Sequence, residues 1–157
     1  MDNLQLLDNF ITGRVEPHIY AFTTDAIPGY LKVGDTYRPV SVRLKEWKKH
    51  FPDLVKAFEE TAAVTPDIFF RDFSVHQFLE LGLGKHRLTL GELPAETYYS
   101  KEFFKDTKVP ELEAAIHDIR RDHQDGGHRY QYYHAGTNLP EVHTYASSGW
   151  WEPRPMQ

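Results

Sequence analysis

The chain has 157 residues, a net charge of −5 and no cysteine. Its length fits one ordinary domain with an extension, and the lack of cysteine excludes disulfides and thiolate metal sites and agrees with a reducing, cytoplasmic environment. The acidic balance argues against a protein that coats nucleic acid through clustered Lys and Arg. The first residues, Met1-Asp2-Asn3-Leu4, lack the basic start of a signal peptide. No segment approaches the ~20 apolar residues of a membrane span, so we expect no membrane association.

The N-terminal third predicts a short lead-in followed by a β-hairpin. We expect residues 1–16 to precede the folded domain. Segments 18–24 and 30–36 are rich in β-branched and aromatic residues and flank Pro28-Gly29, a pattern typical of two strands joined by a turn.

A helix and a third strand are predicted next. Pro39 suits the first turn of a helix, and apolar residues then recur at helical spacing until Pro52. They are Val40, Leu44, Trp47 and Phe51. Segment 55–64 is predicted to be a strand that ends at Thr65-Pro66.

The rest of the domain predicts two further helices. The second helix is expected over residues 67–81, with Gly82 and Gly84 ending it, and residues 85–100 are expected to be irregular or strand-like. The last helix is predicted from one apolar face and stops before Gly126-Gly127. That face contains Val109, Leu112, Ile116, Ile119 and His123.

These elements predict an α+β fold with a small, three-stranded, mainly antiparallel sheet flanked by helices. We assign residues 17–125 to this domain. Residues 126–157 are aromatic and His-rich without a sustained period, so we expect an extension or a linker to a downstream domain.

Several motifs lie in one order along the chain. They are His18-Ile19-Tyr20, Lys32-Val33-Gly34-Asp35-Thr36, Arg43-Leu44, Asp72 four residues before His76, and Ser100-Lys101-Glu102-Phe103-Phe104. Together they resemble the GIY-YIG nuclease family over residues 18–104, and in particular a phage-associated branch whose second motif reads Lys-Ile-Gly-x-Thr. The chain departs from the family in three places: the first motif lacks its Gly, Lys32 stands where many members have Tyr, and Asp72 stands where the branch has Glu.

The resemblance implies a metal-dependent DNA endonuclease that hydrolyses phosphodiester bonds with an activated water. Tyr20 would act at the water, Arg43 would bind the phosphate through its two-pronged guanidinium, and Asp72 would hold Mg²⁺ or Mn²⁺. An ordinary phenol has a pKa of about 10, so a Tyr acting as base needs a metal or a cation nearby.

Other residues are assigned alternative roles. Lys32 would neutralise phosphate, or is an exposed strand residue, and Tyr30 on the same strand face would replace the missing phenol. His76 would act as an acid on the leaving oxygen, or it pairs with Asp72 across one helix turn. The sequence also offers Glu80 as a second candidate ligand, whereas we expect Glu102 to form a cap or an ion pair.

The first helix is rich in basic residues that would contact DNA. These are Arg38, Lys45, Lys48 and Lys49, and the alternative is an ordinary solvated helix surface.

Two other functions stay open from the sequence. The three departures from the family favour a catalytically degenerate DNA-binding or regulatory module, and the aromatic segment 128–157 favours a protein-interaction domain. The step Arg154-Pro155-Met156-Gln157 resembles the segment before the first motif of restriction-type DNA helicases. It suggests that the chain is the N-terminal module of a longer helicase-like protein, the alternative being a disordered tail.

Overall fold

The computed structural model describes residues 17–134. The strands, in chain order, are β1 His18–Thr23, β2 Tyr30–Thr36, β3 Val55–Thr61, β4 Ala63–Thr65, β5 Ile68–Phe69, β6 Phe103–Lys105 and β7 Tyr133–His134. The α-helices are α1 Val40–Trp47, α2 Asp72–Gln77 and α3 Val109–Gln124. A π-helical turn over Phe78–Gly82 continues α2, and a 3₁₀ turn covers Leu90–Glu92.

The main sheet has four antiparallel strands in the order β3-β1-β2-β6. The predicted hairpin of β1 and β2 is confirmed, and its turn places Gly29 at φ +81°, a conformation that glycine adopts without steric cost. The α+β class and the antiparallel pairing are confirmed, but the prediction of three strands is wrong. Residues 103–105 add a fourth strand by pairing with the outer edge of β2.

A second, three-stranded sheet has the order β4-β5-β7. The predicted strand 55–64 divides at Ala62, which is buried and donates its N–H to the Pro17 carbonyl instead of continuing the ladder. The predicted helix start at residue 67 is wrong as well. The Thr65 hydroxyl accepts the N–H groups of Asp67 and Ile68, which turns the chain into β5, and α2 begins only at Asp72.

A hydrophobic core packs against each face of the main sheet. Alternate side chains of a strand point to opposite faces, so Ile19 and Ala21 pack with α3 whereas Tyr20 and Phe22 pack with α1. Lys32 of β2 points to the α1 face, beside Tyr20. The functional candidates on β1 and β2 are therefore held between the sheet and α1.

The packed structure continues beyond residue 125. Tyr130 and Tyr132 are fully buried against the α3 side of the core, and Tyr133 pairs with Phe69 in the second sheet. The lead-in 1–16 and the segment 135–157, with its helicase-like step, lie outside the described residues. Within residues 17–134, every helix is too short or too polar to cross a membrane.

Candidate active site

A buried lysine joins the two halves of the candidate site. Lys32 is 0% exposed, so the alternative of an exposed strand residue is wrong. Its Nζ donates to the Tyr20 hydroxyl oxygen at 3.0 Å and lies 2.8 Å from Glu102 Oε1. Lysine is almost never fully buried without a partner, because an uncompensated charge in the interior is costly. Here the Glu102 carboxylate supplies the countercharge and the phenol supplies an acceptor.

Gly34 makes room for this contact. It lies opposite Tyr20 in the β1–β2 ladder, and a Cβ at this position would be 2.5 Å from Lys32 Nζ and 2.8 Å from the Tyr20 hydroxyl. Both distances are shorter than any ordinary van der Waals contact. The glycine is therefore required by the close approach of the two functional side chains.

Helix α1 adds two residues to the Tyr20 side of the site. The Trp47 indole N–H donates to the Tyr20 hydroxyl oxygen at 2.8 Å, and Lys32 Nζ lies 4.1 Å from the centroid of the indole, within the range of a cation–π interaction. The Arg43 guanidinium is 5.3 Å from the same ring and interacts with the Tyr20 oxygen. Trp47 thus contacts all three of the candidate groups on this side.

The arginines of this helix share one acidic partner. Arg38 forms a two-pronged pair with Glu46 at 2.8 and 2.6 Å, and Arg43 Nη1 lies 3.0 Å from Glu46 Oε1. Hydrogen bonds from Arg38 and then Arg43 lower the pKa of Glu46 to about 2. The carboxylate therefore stays charged and holds the two guanidinium groups at the edge of the site.

On the other side of Lys32, three potential metal ligands lie together. Asp72 and His76 come from α2, Glu102 directly precedes β6, and one ligand atom of each lies within 4.8 Å of the others. His76 Nε2 is 2.8 Å from the Val33 carbonyl oxygen. Because a carbonyl only accepts, Nε2 carries the proton and Nδ1 has the free lone pair.

This arrangement fits a divalent cation. Metal-binding histidines usually donate their second ring N–H to a carbonyl or a carboxylate, as His76 does to Val33. Two carboxylates and one imidazole suit Mg²⁺ through oxygen, and Mn²⁺ through both oxygen and nitrogen.

The protonation states of the cluster follow from burial and from Lys32. Burial, then the charges of Asp35 and Glu102, raise the pKa of Asp72 to about 8. Burial raises the pKa of Glu102, but the charge and hydrogen bond of Lys32 outweigh it, so that this pKa lies below its usual value. Asp72 therefore keeps its proton to a higher pH than an ordinary aspartate, and it hydrogen-bonds Glu102.

His76 is neutral near pH 7. Burial lowers the pKa of its imidazole to about 4, and its single N–H is engaged by the Val33 carbonyl. The N–H of a neutral imidazole is far too weak an acid to protonate a leaving oxygen. The geometry therefore favours the ligand role over the acid role that the sequence also offered.

Asp35 fixes the start of α2. Its Oδ2 accepts the Asp72 backbone N–H at 2.9 Å and lies 2.6 Å from Arg71 Nε. The same Arg71 guanidinium lies over the Tyr37 ring, 4.8 Å from its centroid. These contacts connect the second motif, on β2, to the helix that carries Asp72 and His76.

Five of the predicted residues meet at this site: Tyr20, Lys32, Arg43, Asp72 and His76. Two others are directed elsewhere. The Tyr30 hydroxyl donates to Glu92 at 3.2 Å, because the 3₁₀ turn packs over that end of β2, and Glu80 pairs with Arg87 at 2.6 Å. The structure therefore does not bring the Tyr30 phenol into the site as a substitute base.

The predicted DNA-contacting residues lie beside the site. Arg38 is held by Glu46, whereas the remaining three are exposed along α1 and just after it. They are Lys45, Lys48 and Lys49.

Three contributors to the site were not assigned to it from the sequence. Glu102 forms the ion pair that was one of its two expected roles, here with Lys32, but its contact with Asp72 was not expected. Trp47 was assigned only to the core stripe, yet it donates to Tyr20. Asp35 was the variable position of its motif. The sequence carried one signal for Glu102. An acidic residue beside a strand that contains Phe-Phe predicts a carboxylate at the edge of the sheet.

Comparison with protein-family models, with curated proteins and with solved structures finds no match for this chain.

Proposed function

We propose that this chain is a metal-dependent DNA endonuclease domain, which hydrolyses phosphodiester bonds with an activated water. The observation that carries the proposal is the position of Lys32, whose ammonium touches Tyr20 on one side and Glu102 on the other. A phenol, a buried cation and a set of oxygen and nitrogen ligands thus share one site.

Phosphodiester hydrolysis has three requirements, and we assign groups of this site to the first two. A water must be oriented and lose a proton, the negative charge on the non-bridging oxygens must be stabilised, and the leaving oxygen must be assisted. The Tyr20 oxygen, held by Trp47 and Lys32, is fixed where it would orient the water. Arg43 offers a planar guanidinium for two phosphate oxygens.

The acidic side of the site would hold the cation. Asp72, Glu102 and the Nδ1 atom of His76 are the ligands that we assign to it. Bound there, Mg²⁺ or Mn²⁺ would stabilise charge on the phosphate and promote deprotonation of water. Asp72 would lose its proton on metal binding, and Lys32 would remain as the fixed positive charge between the ligands and Tyr20.

DNA is the expected partner of this site. The exposed lysines in α1 and just after it give a local basic surface on a chain whose net charge is −5. A domain with this balance would depend on a second element for most of its DNA affinity. We propose a downstream helicase domain of the same protein, in a cytoplasmic restriction-type system, as that element.

A second candidate function is a catalytically degenerate DNA-binding or regulatory module. One feature favours it: each functional group already has a protein partner. Lys32 pairs with Glu102, Arg43 pairs with Glu46, and Asp72 is protonated against Glu102. A site whose functional groups all have partners within the protein could persist on the scaffold after its catalytic activity was lost.

A cleavage assay separates the two functions. Supercoiled, linear and branched DNA are incubated with the chain and Mg²⁺ or Mn²⁺, beside the variants Asp72→Ala and Arg43→Ala. The endonuclease gives metal-dependent nicking that both substitutions abolish. If the folded chain cleaves none of these substrates but binds DNA without metal, the nuclease proposal is wrong and the degenerate module replaces it.

A further inference from the structure

An exposed pair of aromatic rings stands beside the candidate site. The rings of His50 and Tyr98 stack with centroids 3.6 Å apart and planes inclined by 23°. The plane of the Tyr98 ring is inclined by 85° to that of Trp47 and by 84° to that of Phe51. The stacked pair therefore packs on these two core rings through its edges. The two inner ring faces cover each other, and Tyr98 is 43% exposed.

Positively charged residues lie next to this aromatic pair in the chain. Lys48 and Lys49 immediately precede His50, and Lys45 lies four residues before Lys49. All three are exposed, and none of them forms an ion pair with another residue in the range 17–134. This surface therefore combines free cations for phosphates with a flat aromatic face.

The aromatic pair is linked to the candidate site through a single ring. Trp47 lies 5.9 Å from Tyr98, centroid to centroid, and 4.1 Å from Lys32 Nζ. The Arg43 guanidinium is 5.3 Å from the same ring, so a nucleotide that rests on Tyr98 would lie near a phosphate bound at Arg43.

We propose that the outer face of Tyr98, with His50 stacked behind it, binds an unpaired DNA base whose phosphates run along Lys48 and Lys49. Every base has a π-face that stacks on an aromatic ring, whereas in a closed duplex that face is covered by the neighbouring base pairs. The inference rests on the proposed function in taking DNA as the ligand. It names the substrate class: DNA with an unpaired nucleotide next to the scissile phosphate, as in single strands, gaps and branches.

Binding of two oligonucleotides to the full chain tests the proposal. One is a fluorescein-labelled ten-residue oligothymidylate, and the other is an abasic strand with the same number of phosphates; EDTA is present, so that no cleavage occurs. The wild type is expected to bind the oligothymidylate more tightly. Tyr98→Leu, which keeps apolar bulk but removes the aromatic face, weakens oligothymidylate binding by roughly tenfold or more and leaves abasic binding unchanged.

Two further variants separate base stacking from phosphate contacts. Tyr98→Trp enlarges the stacking face and retains or strengthens the preference for bases. The double variant Lys48→Ala and Lys49→Ala weakens both strands alike, because it removes phosphate contacts. Thermal unfolding checks that each variant is folded, and the Tyr98→Trp result decides the question if Tyr98→Leu does not fold.

Equal binding of both strands by the wild type, or equal losses on both strands in Tyr98→Leu, overturns the stacking site. No measurable binding of either strand overturns it too. These outcomes are independent of cleavage, so that an inactive chain can still show base stacking, and an active nuclease can still fail this test.

Discussion

The Trp47 indole N–H donates a hydrogen bond of 2.8 Å to the Tyr20 hydroxyl oxygen. Lys32 Nζ donates to the same oxygen at 3.0 Å. The Arg43 guanidinium interacts with this oxygen as well, so the oxygen faces three donors and the phenolic proton must point away from them. Trp47 therefore helps to fix the direction in which Tyr20 can donate its proton.

Trp47→Phe is expected to slow DNA cleavage by about 10- to 100-fold without changing KM for DNA. The phenyl ring retains much of the packing in the core around α1 but cannot donate to Tyr20. Steady-state cleavage of a defined substrate measures kcat and KM separately. A rise in KM at constant kcat would contradict a role in orienting Tyr20.

The control for Trp47→Phe is Phe51→Leu. Phe51 stacks on Trp47 with 6.1 Å between the ring centroids and makes no hydrogen bond to Tyr20, so its truncation costs stability, roughly 1–3 kcal/mol, but spares kcat. The indole N–H resonance of Trp47 gives a check that needs no activity. The chemical shift of this resonance should change in Tyr20→Phe, because that variant lacks the acceptor oxygen.

Arg43→Ala is expected to reduce cleavage by about 100-fold or more and to change the free energy of unfolding by less than about 1 kcal/mol. The side chain is 34% exposed, and it pairs with the equally accessible side chain of Glu46. Denaturant unfolding and cleavage are measured together. If Arg43→Ala unfolds the domain, its role is structural and the nuclease assignment of this residue is wrong.

Glu46→Gln is the complement to Arg43→Ala. Glu46 competes with phosphate for the Arg43 guanidinium, so neutralising it should tighten DNA binding. A variant that binds DNA no better than the wild type would mean that Arg43 does not reach the phosphate.

Gly34→Ala is expected to reduce both stability, by about 1–3 kcal/mol, and cleavage. The new Cβ would collide with Lys32 Nζ and with the Tyr20 hydroxyl, so one of the two functional groups must move. Gly91→Ala is the matched control, because no atom lies within 4 Å of a Cβ built at Gly91. Similar stability losses in both variants would show that the close approach at Gly34 is not what matters.

The parts of the fold that local patterns encode were predictable. The alternation of β1 and β2, the turn glycine between them and the apolar stripe of α3 each act over a few residues, and these elements are found where expected. The division of segment 55–64 was not predictable, because it depends on hydrogen bonds between Ala62 and two distant residues, Pro17 and Phe70.

The same distinction applies to the site. Residues within motifs, such as Lys32 and Asp72, could be selected from the order and spacing of those motifs. Glu102 and Trp47 could not, because their roles arise from contacts across 70 and 27 positions of the chain. Only the packing of β6 and α1 against β2 and β1 brings these side chains to Lys32 and Tyr20.

The affinity for Mn²⁺ is expected to rise as the pH increases towards about 8. In the metal-free protein the pKa of Asp72 is raised to about 8, so below this pH the cation must displace a proton before the carboxylate can bind it. Calorimetric titrations at pH 6.5, 7.5 and 8.5, in buffers of different ionisation enthalpy, measure both the affinity and the number of protons released. Binding that is independent of pH would contradict Asp72 as a ligand.

Asp72→Asn supplies the matched variant for the metal experiment. The Asn amide can still donate to Glu102, as the protonated carboxyl does, so the metal-free protein should be at least as stable as the wild type at pH 7. It should nevertheless lose the increase in melting temperature that Mn²⁺ gives the wild type. A retained increase would place the metal elsewhere.

Tyr132→Ala is expected to cost about 3–5 kcal/mol of stability, a large part of the total for a small domain. Tyr132 is fully buried, and its hydroxyl lies 2.7 Å from Asp122 Oδ2 and 2.8 Å from the Ile119 carbonyl oxygen. Tyr132→Phe should lose only about 1–2 kcal/mol, since the ring stays in place. Urea unfolding of both variants measures whether the residues after α3 belong to the folded domain. If Tyr132→Ala were as stable as the wild type, the domain would end at α3, and segment 128–157 would be free to act as a separate interaction surface.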